Sequence, residues 1–189
     1  MKKNRVEAFS DGVIAIIITI MVLELKVPHG NQLHDLKSLL PIALSYVLSF
    51  VNVGLYWNNH HHLFQAVEKI NGKVLWANTH LLFWLSLMPF STAWMGENDF
   101  TKWPVILYGF ILMMSGIAYF ILVRTLLPIH QKDTALAKAI GNDFKGKFSV
   151  IVYSVAVIIG YWSVTIALIL YVVVAATWLI PDKRIEEVI

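Results

Sequence analysis

The chain has 189 residues, 58% of them hydrophobic and 14% charged, with a net charge of +3. This balance excludes a soluble globular domain, and the charge is too small and too scattered to suggest nucleic acid. The absence of cysteine excludes disulfides and thiolate chemistry.

The first stretch begins like a secretory signal, with Lys2, Lys3 and Arg5 ahead of an apolar core. Glu7 and Asp11 occupy the would-be basic region, however, and no Ala-x-Ala site follows, so the segment reads as retained. The uncharged run from 12 to 23 holds twelve residues, and Thr19 is its polar member. Crossing a bilayer core takes about 20 residues, so a spanning helix over 5–26 carries Glu7 and Asp11, with Glu24 at its far end, into or near the membrane. Ionisable groups there are costly and point to function. Arg5, Phe9, Gly12, Ile16, Thr19 and Leu23 recur at spacings of four and three, which on a helix makes one narrow stripe. Asp11 lies about 140° around the helix from Ile16. Two readings of the stripe stand: a heptad-like packing seam, or a face turned to a symmetry axis where copies of the helix line a pore.

A polar loop follows Pro28. The second span, 39–67, starts near Pro41, where a helix tolerates proline, and carries Asn52 and the Trp57 to His62 cluster. After a tight polar connection, the third span, 74–95, holds Asn78, His80 and Pro89. The fourth, 103–127, ends near Arg124, a cation suited to a helix C-terminus. A polar linker at 128–147 comes next. The last apolar block, 148–180, is 33 residues, long for one helix. Its weakest helical point is the stretch from Gly160 to Ser163, which predicts two short spans, 146–161 and 163–180. Charge supports that division. With six spans, twelve of the fifteen Lys and Arg residues gather on one side, leaving Lys26, Lys37 and Lys102 on the other. The reading is an all-α integral membrane protein with six transmembrane helices. It forms a single membrane domain over 1–189, multi-pass in the cell membrane, with the linker and both termini cytoplasmic.

The histidines invite a metal reading. His60, His61 and His62 are adjacent, so on a helix they point about 100° apart and do not converge on one ion. His80 is one span away, and spans two and three hold no carboxylate to complete a site. Hydrogen-bonded structural histidines are therefore expected, with no metal and no cofactor. No nucleophile elbow, phosphate-binding glycine loop or paired carboxylates on one span suggest an enzyme.

Arg5-x-x-x-Phe9-Ser10-Asp11, at the head of the first apolar helix, resembles the signature of the transmembrane protein 175 family of potassium channels in its short prokaryotic form. The resemblance extends through Leu25-Lys26-Val27-Pro28, Tyr56-Trp57-Asn58-Asn59-His60-His61 and the stretch 78–90. It covers about the first half of the chain; the second half agrees in hydropathy alone. It implies a homotetramer whose first helices line a central pore, with bulky apolar residues at the constriction. By position after the signature these are Ile16, Thr19 or Ile20, and Leu23. It further implies that Arg5, Ser10 and Asp11 join a polar network with Trp57, His60, His61 and Asn78 that braces the pore helix. One departure stands out: His62 sits where members of the family often carry arginine.

The function expected is a potassium-permeable channel, with potassium ions and the lipid bilayer as its partners and no nucleic acid. The chain lacks the Thr-Val-Gly-Tyr-Gly run of carbonyl-type filters, so selectivity falls to an apolar ring and a layer of Thr19 hydroxyls. Two alternatives stay open: a proton-coupled transporter with Asp11 and a histidine as relay, and a membrane scaffold without transport.

Overall fold

The computed structural model describes residues 3–67, 69–127 and 144–179. Its long elements are all helices: α1 (Lys3–Leu23), α2 (Leu40–Gln65), α3 (Gly72–Ser86), α4 (Met88–Glu97), α5 (Lys102–Leu126), α6 (Phe144–Ile159) and α7 (Val164–Leu179), with a short 3-10 helix at Leu33–Leu39 ahead of α2. No strand occurs among the described residues. The linker residues 128–143 and the cations Lys183 and Arg184 lie outside them.

Three stretches, Lys3–Leu23, Leu33–Gln65 and Lys102–Leu126, are long and apolar enough to cross a membrane on their own. The third span expected from the sequence is divided in two at Leu87. Pro89 stands in the first turn of α4 and has no N–H to continue α3's hydrogen-bond ladder, so Leu87 N bonds back to Trp84 O and a new helix starts. The final apolar block is two helices. Gly160 to Ser163 makes the turn, with Trp162 N and Ser163 N both bonding to Ile159 O at 2.9 Å. Each of these helices has 16 residues, about 24 Å of rise against an apolar core of about 30 Å.

The helices pack in sequence around α2 and α5. On one side α1 lies against α2, α3 and α4; on the other, α5 lies against α3, α4, α6 and α7. The core is apolar and continuous, from Ile14, Ile17 and Met21 of α1 through Val53 and Phe64, Leu81 and Leu85, Met88 and Met95, to Leu112, Leu122 and Tyr171. The periphery is apolar too, with Leu44, Phe50, Trp76, Phe83, Phe90, Ile151, Ile166 and Val172 exposed. A chain greasy both inside and outside is in keeping with lipid as its solvent.

Polar side chains inside such a bundle must partner each other. Ser49 Oγ lies 2.6 Å from Thr92 Oγ1 and donates to Tyr108 Oη at 3.1 Å, joining α2, α4 and α5. Tyr153 donates to Asn52 Oδ1 at 3.4 Å, and Tyr171 to Val105 O at 3.1 Å, which ties in α6 and α7. Gly109 is needed here, because a Cβ would strike the Tyr171 phenol.

Candidate functional site

The two faces of α1 have opposite surroundings. Val6, Ser10, Ile14, Ile17 and Met21 are buried against the rest of the chain. Arg5, Phe9, Gly12, Ile16, Thr19 and Leu23 are all exposed. The figures are far apart: 60% for Ile16 and 72% for Leu23, against 1% for Ile14 and for Met21. The stripe is therefore not a packing seam within the chain; the seam runs down the other side of the helix. Ile20 shares the outer face at 43% exposure. Thr19 Oγ1 donates to Ala15 O at 2.9 Å, so its proton is turned back onto the helix while its oxygen lone pairs stay free of the backbone.

The N-terminal half of α1 is fixed to α2 and α3 by polar contacts. The two helices α1 and α2 run antiparallel, so that each turn forward on α1 meets the next turn back on α2. Lys3 Nζ donates to Phe64 O at 3.1 Å and to Gln65 O at 3.2 Å. One turn on, Glu7 Oε1 lies 3.2 Å from His61 Nδ1. One further turn on, Trp57 Nε1 donates to Asp11 Oδ1 at 3.0 Å. Glu7 and Asp11 are four residues apart, as are Trp57 and His61, so each pair shares a helix face and the rungs stack. The rings stack as well: Trp57 and His61 lie 5.9 Å apart at 16°. Gln65 completes the surroundings of His61, its Nε2 lying 2.8 Å from His61 Nε2.

The contact with α3 is buried. Asn78 Nδ2 donates to Ser10 Oγ at 2.9 Å, and Ser10 Oγ donates to Val6 O at 2.8 Å. The amide oxygen of Asn78 then faces His60 Nε2 at 2.8 Å. An amide oxygen accepts only, so His60 carries its proton on Nε2. The result is one directed series of hydrogen bonds from α2 through α3 to α1, with His60 stacked on Phe64 at 4.4 Å.

Of the residues singled out from sequence, the fold brings Ser10, Asp11, Trp57, His60, His61 and Asn78 together. Arg5 stays out: it is exposed and forms no hydrogen bond or ion pair among the described residues. Glu7, Lys3 and Gln65 belong to the assembly although sequence reasoning gave them no place in it. The signal for Glu7 was present, one helical turn before Asp11 on the same face. His80 joins none of the α2 histidines and instead accepts from Trp84 Nε1 at 2.9 Å within α3. Among the described residues no group of three or more His, Cys, Asp or Glu side chains is placed to hold a metal.

The far end of α1 is tied more lightly. Lys26 Nζ, in the loop beyond the helix, meets Glu97 Oε1 at 3.0 Å with both side chains exposed. Inside, Met21 Sδ lies 3.9 Å from Thr92 Oγ1.

Comparison with known proteins places this arrangement. Residues 5–89 match the family model described as the endosomal/lysosomal potassium channel TMEM175. A protein of Chryseobacterium sp. (strain P1-3) named as a potassium channel is 54% identical over 187 residues, covering 99% of this chain and 97% of its own. The endosomal/lysosomal proton channel TMEM175 of Gallus gallus is 30% identical over 149 residues, which span 71% of this chain and 30% of that longer protein. The crystal structure of a lysosomal potassium-selective channel TMEM175 homolog from Chamaesiphon minutus superposes with a TM-score of 0.77 at 29% identity, covering 94% of this chain and 96% of that one. With identity along the whole length of one relative, a family match over the α1–α3 region and a shared fold all in agreement, the chain belongs to the TMEM175 family of ion channels.

Proposed function

We propose that this protein is a potassium-permeable channel of the cell membrane, with its termini cytoplasmic and its pore formed by α1 from four copies. Ile16, Thr19, Ile20 and Leu23 then face the axis. The observation that carries this reading is the unpacked outer face of α1, on a helix whose inner face is pinned by polar rungs. One chain supplies one such helix, so a pore needs several, and fourfold symmetry closes it. The gallery of exposed apolar residues on the other helices suits lipid, whereas the α1 face also bears Ala8, Gly12, Ala15 and Thr19, small enough for close approach of neighbouring helices.

Ile16 and Leu23 are two turns apart, about 10 Å along the axis. Four copies of each form two rings that leave little room for a hydrated ion and offer no ligands in place of its water. The barrier is steric and dehydrative together. The Thr19 oxygens, whose protons point back to Ala15 O, turn their lone pairs outward as one layer of ligands between the rings. Ile16→Asn is expected to raise current and weaken the preference for potassium over sodium; Leu23→Ala does so more mildly, and Thr19→Val blunts selectivity while the closed state stays tight. Paired conductance and reversal potentials in planar bilayers test this. Wild-type values for Ile16→Asn in an intact assembly would place the pore elsewhere.

A proton-coupled carrier built on Asp11 and a histidine is the second reading. Against it, Asp11 accepts from the Trp57 indole, which has one N–H and cannot pass a proton on, while the neighbouring histidine pairs with Glu7. Potassium flux from proteoliposomes separates the two: a channel needs no proton gradient, and a proton ionophore leaves its flux intact.

A further inference from the structure

We propose that the hairpin of α6 and α7 presents an apolar band thinner than an ordinary bilayer core, and that its partner is a locally thinned bilayer of short-chain phospholipid. The hairpin packs on α5 and, through α7, on α2, away from α1, so the inference holds whether or not α1 lines the pore. Ile151, Val155, Ile158, Ile166, Ile169 and Val172 are exposed along it, an apolar face of the kind that acyl chains cover. The height of that face is set by its two polar ends.

A lysine set against an aromatic ring marks each end. At the turn, Lys102 Nζ lies 4.3 Å from the centre of the Tyr161 ring, which meets Trp103 edge-on at 6.3 Å, and Trp162 beside it is 76% exposed. Exposed Trp and Tyr rings next to a lysine settle at the level of lipid headgroups. At the open end, Lys145 Nζ lies 6.0 Å from the centre of the Trp178 ring, Trp178 Nε1 donates to Ser149 Oγ at 2.8 Å, and Lys147 is exposed. Tyr161 stands fourteen residues beyond Lys147 and sixteen beyond Lys145, a rise of about 21–24 Å. The packing on α5 gives the same scale. A Cβ on Gly160 would lie 3.1 Å from Ile106 Cγ1, and one on Gly116 3.2 Å from Val150 Cγ2, so α5 and α6 run antiparallel in step. In that register Phe144, where α6 begins, is level with Leu122, a full turn short of the end of α5 at Leu126. Against an apolar core of about 30 Å, the hairpin falls short by about 6–9 Å. Lysine stems reaching for the headgroups recover part of that, and the surrounding lipid thins to meet the rest. Drawing two lysines into hydrocarbon costs more than compressing acyl chains by a few Å.

The seven native tryptophans supply the test. The protein is reconstituted in brominated phosphatidylcholine, which quenches tryptophan fluorescence, mixed with unbrominated phosphatidylcholines of about 14, 18 or 22 carbons per chain. Competition between the lipids gives their relative binding constants. The shortest lipid is expected to bind about three- to tenfold more tightly than the longest. Lys145→Leu combined with Lys147→Leu extends the apolar run of α6 back to Phe144, by about 6 Å, and is expected to move the preference to longer chains. Lys147→Arg, which keeps the charge, leaves it with the short ones. Where the double variant does not assemble, Lys147→Leu alone reads the same shift at smaller size. Equal binding of the three lipids, or a wild-type preference for the longest, overturns the thin band. A preference for the shortest that neither Lys147→Leu nor the double variant moves overturns its assignment to this hairpin.

Discussion

The two ends of α1 are held by different kinds of chemistry. The N-terminal half carries a polar rung at nearly every turn, through Lys3, Glu7, Ser10 and Asp11. The C-terminal half carries only a long contact from the Thr92 hydroxyl to Met21 Sδ inside the bundle; Ile14, Ile17 and Met21 are otherwise buried as apolar side chains, and an exposed Lys26–Glu97 pair lies beyond the helix. Hydrogen bonds are directional and specify a register and an angle. Apolar contacts are not, and they tolerate small shifts as long as volume is filled. The half that bears Ile20 and Leu23 is therefore the adjustable part of the helix, and the half that bears the signature is the anchor.

The largest expected effect comes from breaking the anchor at its buried point. Asn78→Leu leaves the buried His60 N–H without an acceptor and removes the donor to Ser10 Oγ, whose own bond to Val6 O remains, at a cost of about 1–3 kcal/mol of stability. The check is thermal unfolding followed by size-exclusion of the detergent-solubilised protein. Survival at the wild-type midpoint would show that water or a rearranged Ser10 replaces the amide, and the anchor would lose its special standing.

A smaller effect is expected one rung away. Asp11→Asn keeps an oxygen that accepts from Trp57 but loses the charge that strengthens the bond, a loss of about 1 kcal/mol. Folded and assembled protein should fall before ion preference changes, since Asp11 lies off the exposed stripe. A sharp change of selectivity in an intact assembly would put Asp11 in the ion path and erase the distinction between anchor and pore face.

The smallest effect is expected at the far end. Lys26→Ala should leave the melting temperature where it is, because both members of the pair sit in solvent and such pairs contribute little. The hydrogen bond to Glu97 raises the Lys26 amine above its ordinary value. A raised amine contributes below its unfolded value and loses that contribution as pH climbs through the folded one. The raised amine thus places the pair's alkaline limit well above neutral pH. Between about pH 5 and 8, stability should be indifferent to this pair.

Much of the anchor was legible in the sequence. The family resemblance implied a network of Arg5, Ser10, Asp11, Trp57, His60, His61 and Asn78, and all but Arg5 meet in the fold, since polar groups in apolar surroundings need one another as partners. The turn at Gly160 to Ser163 was legible for a related reason, since an apolar block too long for one helix must break at its poorest helix former. The pairing within the anchor was not. Sequence spacing places Glu7 and Asp11 on one face, but only the antiparallel register of α1 and α2 decides that Glu7 takes the histidine and Asp11 the tryptophan. Arg5 shows the same limit from the other side, for it belongs to the signature and yet points away from the network.

What the sequence determined by itself is the class of molecule, because the demand that lipid makes on a chain is written residue by residue in apolar length. It also marked the stripe Arg5, Phe9, Gly12, Ile16, Thr19 and Leu23, since helical periodicity is a local property. It left open whether that stripe was a seam or an outward face, and it read 74–95 as one span where the fold has two helices. Tertiary structure decided both. Burial of a helix face depends on which neighbours arrive, and Val6, Ser10, Ile14, Ile17 and Met21 are the side that α2, α3 and α4 cover. The break at Leu87 depends on whether packing holds a proline-bearing helix straight, and here the chain starts a new helix at Met88.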